Sequence, residues 1–360
     1  MLAAQGHQFP PDVSSATVRF RPAGRSDAPA VSTFLQQVFR LPATAALLDE
    51  RHVAWKYWTD RPDWTGSRSF TARHDDAIVA HVGAWPVRLR LPDRVVSAAH
   101  LIDWASDPRY PGAGMWLMRQ VRAKIQFLIA TGGTDIAQRT LAVLGFRPIG
   151  EVNSFARPLR PLGQVLTTTG NAWRSPARLL RNTVWRFFET RSAPDGWSAA
   201  PIAPDDIPES MWPQPSPSTA VGVRDAAFYR YVLASPSAQH ALYGLTRKGE
   251  LVGYFCIACA RHVARIADLW VRSATVDDWS AGFRTAAAVA ARAKDMYEVT
   301  AWASTALGKE ALPRAGFRVR ERSTLSVCGD VAPLGGRELH IQMLDCDASF
   351  LAADDVSYLT

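Results

Sequence analysis

Two titratable side chains, His100 and Asp103, lie on RVVSAAHLIDWAS (94–106), a segment whose β-branched content and flanking turns predict a strand. A Pro/Gly-rich turn, DPRYPGAG (107–114), follows and feeds MWLMRQVRAKIQFLIA, where Leu117, Val121, Ile125 and Leu128 fall on one helical stripe. A strand that passes into a helix through small residues leaves free N–H groups converging on one spot, and the helix dipole favours negative charge there. Gly112 and Gly114 permit positive φ or a close approach, and a pyrophosphate is the ligand such a nest suits. His100 and Asp103 are the proton acceptors nearest to it. Their odd spacing sets them on opposite faces of a regular strand, so one at most meets a ligand unless the strand is bulged.

Other chemistry is thinner. Cys256 and Cys259 lie within one predicted strand on opposite faces, with no second pair and no histidine cluster, which argues against zinc. Asp345 and Asp347 could bind a cation or form a solvated turn. Trp55, Trp58, Trp64, Trp85 and Trp104 gather in the first half, either filling a core or stacking on a flat acceptor such as a sugar. Of the 41 basic residues only five are lysine. Arginine suits carboxylates and phosphates, and the segment 157–191 holds seven arginines against one acid, Glu189. Within it, 171–190 carries an apolar stripe of Leu179, Leu180, Val184, Phe187 and Phe188 beside Arg178, Arg181 and Arg186. Two readings stay open: a helix packed across both halves, or a basic amphipathic helix on an anionic membrane. No motif points to specific nucleic-acid binding.

These residues need a scaffold of some size. The chain has 360 residues, 48% hydrophobic and 21% charged, which excludes a disordered chain and predicts two domains. No apolar run reaches membrane-spanning length, no secretory signal is present and four cysteines make no disulfide framework, so a cytoplasmic location is expected. In the first half the pattern predicts a strand at 17–21, helices over 28–39 and 43–58, a meander over 67–106, the turn and its helix, a short strand near 134–136, a helix over 137–144 and a last strand after Gly145-Phe146. Ser26 and Asp27 would cap the first helix. The second half predicts a helix over 224–234, a meander over 240–273, a helix over 278–293, a strand over 298–304, a helix over 305–315 and a strand after Gly316-Phe317. The shared order suggests a duplicated unit: domains at 1–156 and 205–360 joined by a basic, partly helical connector at 157–204.

The first half resembles the acyl-CoA-dependent N-acyltransferases of the GNAT superfamily. The resemblance is carried by Val82-Gly83-Ala84, by Ile102-Asp103-Trp104-Ala105-Ser106 with the turn that follows, and by Leu144-Gly145-Phe146-Arg147. Gly253-Tyr254, Asp268-Leu269-Trp270-Val271 and Ala315-Gly316-Phe317-Arg318 carry it in the second half. It implies an α/β (α+β) fold of two GNAT-like domains in tandem, each a mixed, largely antiparallel sheet flanked by helices. It further implies acetyl-CoA or another acyl-CoA bound through Trp104, Ser106, Gly112, Ala113, Gly114, Met115 and Trp116. The acyl group would pass to an amine, for instance an amino sugar of envelope or exopolysaccharide synthesis, with Asp103 or His100 as base. Two departures stand out. Pro111 and Trp116 replace the basic or amide residue and the small residue of the family's phosphate-binding turn, and Leu141 and Leu312 stand where many members have a tyrosine acid. The alternatives are an inactive member that binds a ligand or partner, and a Fem-type aminoacyl transferase. In the second half, Thr275-Val276-Asp277-Asp278 replaces the turn and sets carboxylates where a phosphate would sit, so no second coenzyme A is expected.

Overall fold

The computed structural model describes residues 18–168, 175–188, 192–350 and 358–360. The chain opens on β1 (Val18–Pro22) and α1 (Ala28–Phe39), which buries Val31, Phe34 and Leu35 at helical spacing. Asp27 holds the N-cap position, yet its carboxylate does not cap the helix: it accepts from the Gly24 amide and from Arg73. The helix expected over 43–58 is interrupted. A single 3-10 turn (Ala46–Leu48) precedes Asp49, whose carboxylate accepts from the Arg51 and His52 amides and starts α2 (Glu50–Trp58) afresh. The meander follows as β2 (Ser69–His74), β3 (Ala77–Arg90) and β4 (Val95–Ser106).

After the turn, α3 (Ala113–Arg122) is shorter than its apolar stripe predicts. Phe127, Leu128, Ile129 and Ala130 leave the helix to form β5 (Phe127–Thr131), buried on both faces; so short an apolar run fits a central strand as well as a helix. Then come α4 (Asp135–Val143) and β6 (Arg147–Pro158). The connector contains α5 (Pro161–Thr167) and α6 (Ser175–Phe188). Residues 171–174, 189 and 190 of the predicted stripe, and the side chains of Phe187 and Phe188, lie outside the described residues, as does Thr17 of the first predicted strand. The second half runs β7 (Trp197–Pro201), β8 (Thr219–Gly222), α7 (Ala226–Leu233), β9 (Gln239–Arg247), β10 (Glu250–Ala260), β11 (Val263–Val271), α8 (Val276–Ala290), β12 (Glu298–Ala303), α9 (Ala306–Arg314), β13 (Arg318–Gly329) and β14 (Glu338–His340). β7, β8 and β14 were not anticipated from the pattern.

Among the described residues, fourteen strands join one sheet. Its main path is β1-β2-β3-β4-β5-β13-β6-β12-β11-β10-β9-β7, with β8 pairing β3 and β14. The centre shows an exchange. β13, from the second half, lies antiparallel to β5 of the first, and β6 lies antiparallel to β12 of the second. Each half therefore finishes its sheet with the other's last strand.

Three apolar cores pack on this sheet. One lies under α3 and α4, one under α8 and α9, and a larger one is shared by both halves on the α1, α2 and α7 side. Segment 343–350 threads the shared core with Met343, Leu344, Cys346 and Phe350. Most of the predicted tryptophan group belongs to packing rather than to a cleft: Trp55 stacks on Tyr231 of α7 at 4.7 Å, and the Trp85 indole donates to the Leu344 carbonyl. Among the described residues no helix is long and apolar enough to cross a membrane, and no cluster of His, Cys, Asp or Glu is disposed to hold a metal.

Candidate active site

The edge shared by β4 and β5 positions the site. The two strands pair only at Ala99–Leu128 and His100–Ile129, after which β4 runs on to Ser106 without β5. The sheet opens there into a wedge. A cleft of about 310 Å³ fills it, lined by Trp104, Ser106, Gly112, Gly114, Met115 and the first turns of α4. That volume lies at the small end of small-molecule sites.

The turn is built to bring α3 onto β4. Gly112 is the N-cap of α3, with φ +86°. At Gly114 a Cβ would lie 3.0 Å from Cβ of Ser106 and 3.4 Å from the Trp104 indole nitrogen, so only glycine allows this approach without displacing its neighbours. The Trp104 indole N–H donates to the Gly114 carbonyl at 3.2 Å and ties strand to turn. Among the described residues the Trp116 amide reaches the Gly112 carbonyl, while the Gly114 and Met115 amides donate to no carbonyl. Those two N–H groups are the nest expected at such a helix start. Ala113 is buried in the core beneath α3, and the Trp116 ring packs against that same core instead of over the nest. Five of the seven residues named from the sequence thus line the cleft, and Ala113 and Trp116 support it from below.

Across the strand from Trp104 lies a buried polar cluster. The register of β3 and β4 slips between His81–Ala105 and Gly83–Ile102, which inserts one extra residue in β4. Asp103 sits in this bulge with φ +48°. An L-residue pays for such a conformation, and aspartate is among the few that tolerate it. The His81 ring holds the bulge: Nδ1 donates to the Asp103 carbonyl at 3.0 Å, and Nε2 accepts from Ser69 Oγ at 2.9 Å. The bulge changes the parity of the strand, so His100 and Asp103 both reach the α2 side. They do different things there. His100 Nδ1 donates to the Asp345 carbonyl at 3.1 Å, and burial pulls its pKa down to about 4. Asp103 Oδ2 accepts from Lys56 Nζ at 2.5 Å and from the Tyr57 hydroxyl. Gly83 makes room for this, because a Cβ there would lie 2.9 Å from the Tyr57 ring.

Lys56 is buried and also donates to Asp347 Oδ2 at 2.5 Å. Burial works against its charge, but the two carboxylates outweigh it and hold the ammonium above its ordinary range. Burial likewise opposes ionisation of Asp103, yet Lys56 and the bonds from Lys56 and Tyr57 keep it below the usual carboxylate range. Asp347 goes the other way: burial and the Asp103 charge raise its pKa. Burial, with Asp103 adding, keeps the Tyr57 phenol firmly protonated. His52 lies close by with neither ring nitrogen bonded, and burial lowers it to about 3. Lys56, Tyr57, His52 and His81 were not singled out from the sequence. Asp347 was, as one of two acids in a solvated turn. Instead Asp345 is buried and Asp347 half-buried, and the cations they meet are Arg224, at 2.9 Å, and Lys56.

The second half repeats this arrangement. The register of β10 and β11 slips beside Asp268. Arg224 Nε donates to Asp268 at 2.9 Å and the Tyr229 hydroxyl donates to the same carboxylate, while Asp345 completes the group. Cys256 and Cys259 face different cores across β10, as their spacing predicts.

Residues 19–125 match the family profile described as Acetyltransferase (GNAT) domain. Three solved structures share the architecture over most of their length. A GCN5-related N-acetyltransferase from Anabaena variabilis aligns with a TM-score of 0.54 at 14% identity, over 86% of this chain and 72% of its own. One from Sphaerobacter thermophilus aligns at 0.51 and 15%, over 86% and 95%. N-myristoyltransferase from Saccharomyces cerevisiae, solved with bound myristoyl-CoA and inhibitors, aligns at 0.58 and 11%, over 89% and 82%. The fold is a GNAT fold. No curated protein sequence matches the chain. Against the GNAT pattern, the turn keeps its central Gly114, and the side chain that departs from it at 116 is turned into the core. Leu141, at the position of the tyrosine acid, is buried, as is Leu312.

Proposed function

We propose that the protein transfers an acyl group from acyl-CoA to an amine, with the cofactor in the wedge between β4 and β5. The observation that carries this reading is the wedge itself. A strand edge freed of its neighbour from Leu101 to Ser106 offers unpaired backbone groups to the amides of a pantetheine arm, and the Gly114 and Met115 amides stand at its mouth. Two free N–H groups at a helix N-terminus suit a pyrophosphate. Met115 and the rest of the 112–116 turn would hold that end. The thioester would lie deeper, where the open sheet gives access to the Asp103 face.

Asp103 is the base this reading favours over His100. An amine arriving as a cation is drawn to an ionised carboxylate and must lose a proton before it attacks. The proton would go to Asp103, with Lys56 and Asp347 spreading the charge. The attacking nitrogen forms the bond to the acyl carbon, and the C–S bond breaks to release the coenzyme A thiolate. Leu141 cannot protonate it and Tyr57 holds its proton tightly, so water at the open cleft is the donor. An amino sugar remains the proposed acceptor class. We also propose that α5 and α6 meet an anionic membrane. Leu162, Leu166, Leu180 and Val184 are 60%, 76%, 68% and 47% exposed. They lie near Arg178, Arg181, Arg318 and Arg320, of which Arg181 and Arg320 are lowered by burial and then by their cationic neighbours.

Isothermal titration of the full chain with coenzyme A and acetyl-CoA tests the cofactor reading. One site per chain is expected. Ser106→Asp, at an exposed position on the cleft wall, should lower affinity at least tenfold, and Gly114→Asp should abolish binding by clash and charge. Undiminished affinity in a folded Ser106→Asp variant sinks the assignment. Binding without turnover on any amine of a broad panel would favour the inactive, ligand-binding alternative.

A further inference from the structure

The second half has a cleft of its own at the matching place. β11 pairs with β12 only from Val263–Glu298 to Ile266–Ala301, and then runs on to Val271 without it. The opening holds about 510 Å³, between the end of β11, the first turns of α8 and α9, and strands β8 and β14. It is the larger of the two wedges.

Its helix starts are already occupied. Thr275 Oγ1 accepts from the Asp278 amide at 3.3 Å, and Thr305 Oγ1 accepts from the Gly308 amide at 3.4 Å. The Glu338 carboxylate accepts from the Ala306 amide at 3.4 Å. Asp277 and Asp278 sit in the first turn of α8. A pyrophosphate would find these three donors taken and the Glu338 carboxylate in the lining, where Arg272 is the basic side chain.

What the cleft offers instead is aromatic. Trp270 and Trp279 meet at 5.6 Å and 82°, and the His340 ring stands edge-on to both at 5.8 and 5.5 Å. The Trp279 indole N–H donates to the Ser273 carbonyl at 2.8 Å, which fixes its ring. The Gln342 amide nitrogen shares its two hydrogens among the Asp268 carboxylate, the Leu269 carbonyl and His340 Nε2, which lies 2.9 Å away; a proton on Nε2 would face these donors, so Nδ1 carries it. Burial lowers His340 to about 4, so it is a neutral donor at neutral pH. Val221 and Leu307 complete an apolar lining.

We propose that this cleft binds an uncharged planar ring, an aryl or heteroaryl group, against Trp270, which the buried Trp279 backs, with a ring acceptor received by His340 Nδ1–H. Perpendicular aromatic walls favour edge and offset contacts with a further ring, and the capped helix starts with the Glu338 carboxylate favour an uncharged ring over a phosphorylated one. The ligand is not the acyl acceptor. β3 meets β4 beside the first cleft at Ala80–Ser106, and meets β8 beside the second at Arg90–Val221. Ten residues of strand span about 33 Å. The inference therefore stands or falls separately from the cofactor reading.

Saturation-transfer NMR on the full chain, with indole and benzimidazole as probes and coenzyme A and glucose as contrasts, tests it. Roughly millimolar affinity is expected for fragments of this size. Indole and benzimidazole should receive saturation, should lose at least four-fifths of it in Trp270→Ala, and should keep it in Ser106→Asp. Leu307→Trp, which fills the cleft from its half-buried rim, should have the same effect as Trp270→Ala and guards against a variant that fails to fold. No transfer, transfer undiminished from wild type in both cleft variants, displacement by coenzyme A, or transfer to glucose in preference to the two ring probes overturns the proposal.

Discussion

Lys56 shows what a single buried charge demands. It stands on α2 between Trp55 and Tyr57, and its ammonium has two carboxylates for company, one from the bulge of β4 and one from the C-terminal segment. Removing one partner of a buried ion pair costs about 3–5 kcal/mol because the remainder stays buried and uncompensated. Lys56→Met leaves Asp103 and Asp347 facing each other, so a loss at the upper end is expected in urea unfolding followed by near-ultraviolet circular dichroism. A loss under 1 kcal/mol would mean that water or a proton already balances the pair. Asp103 was legible in the sequence, because a carboxylate on a strand that feeds a small-residue turn has few ordinary reasons to be there. Its partners were not. A lysine inside HVAWKYW carries no local mark of its function, and Asp347 comes from 244 residues further on. Their meeting is a property of the packed core, and spacing along the chain does not encode it.

At the level of elements, what could be read depended on whether a segment's own pattern decided its structure. α1 follows from its 3.6-residue spacing alone. The run from Phe127 to Ala130 did not, because four consecutive apolar residues fit the end of a helix and a central strand equally, and it is β13 that makes them a strand. β7, β8 and β14 are three to five residues long and owe their existence to partners far away. The α5–α6 pair belongs to this scale as well. Gln164 and Asn182 bond to each other at 2.9 Å on the buried side, and Gln164 reaches Thr360 and Glu298 beneath. The leucines on the opposite faces are left outward, close to the guanidinium groups of Arg178 and Arg181. Exposed apolar side chains flanked by arginine bind anionic interfaces by burial and by charge together. Sedimentation with vesicles of phosphatidylcholine containing 30% phosphatidylserine should pull down the protein, roughly tenfold more than vesicles of phosphatidylcholine alone. Leu166→Glu with Leu180→Glu should abolish the difference. Equal sedimentation of wild type and double variant would assign this face to something other than lipid.

The whole molecule is governed by the exchange of β6 and β13, which the order of elements could not reveal, since that order is the same whichever neighbour a strand chooses. A fragment starting at Asp205 lacks β6 and leaves one edge of β12 bare, and a fragment ending at Pro158 leaves β5 without β13. Such edges recruit other chains. Expressed alone, each fragment should aggregate or elute as high-mass species in size-exclusion chromatography, while the two co-expressed should assemble; a monomeric, cooperatively melting fragment of either half would contradict this. The same exchange sets a timetable for the protein's birth. On the ribosome, about 190 residues must still be made after β5 before β13 emerges to complete the first half. At 5–20 residues per second that wait is roughly 10–40 s. Throughout it the nascent chain carries an open strand edge and a Lys56 with Asp103 alone, since its second carboxylate, Asp347, is made later still. Translation that stops early therefore yields no half-working protein, only a chain for chaperones to hold.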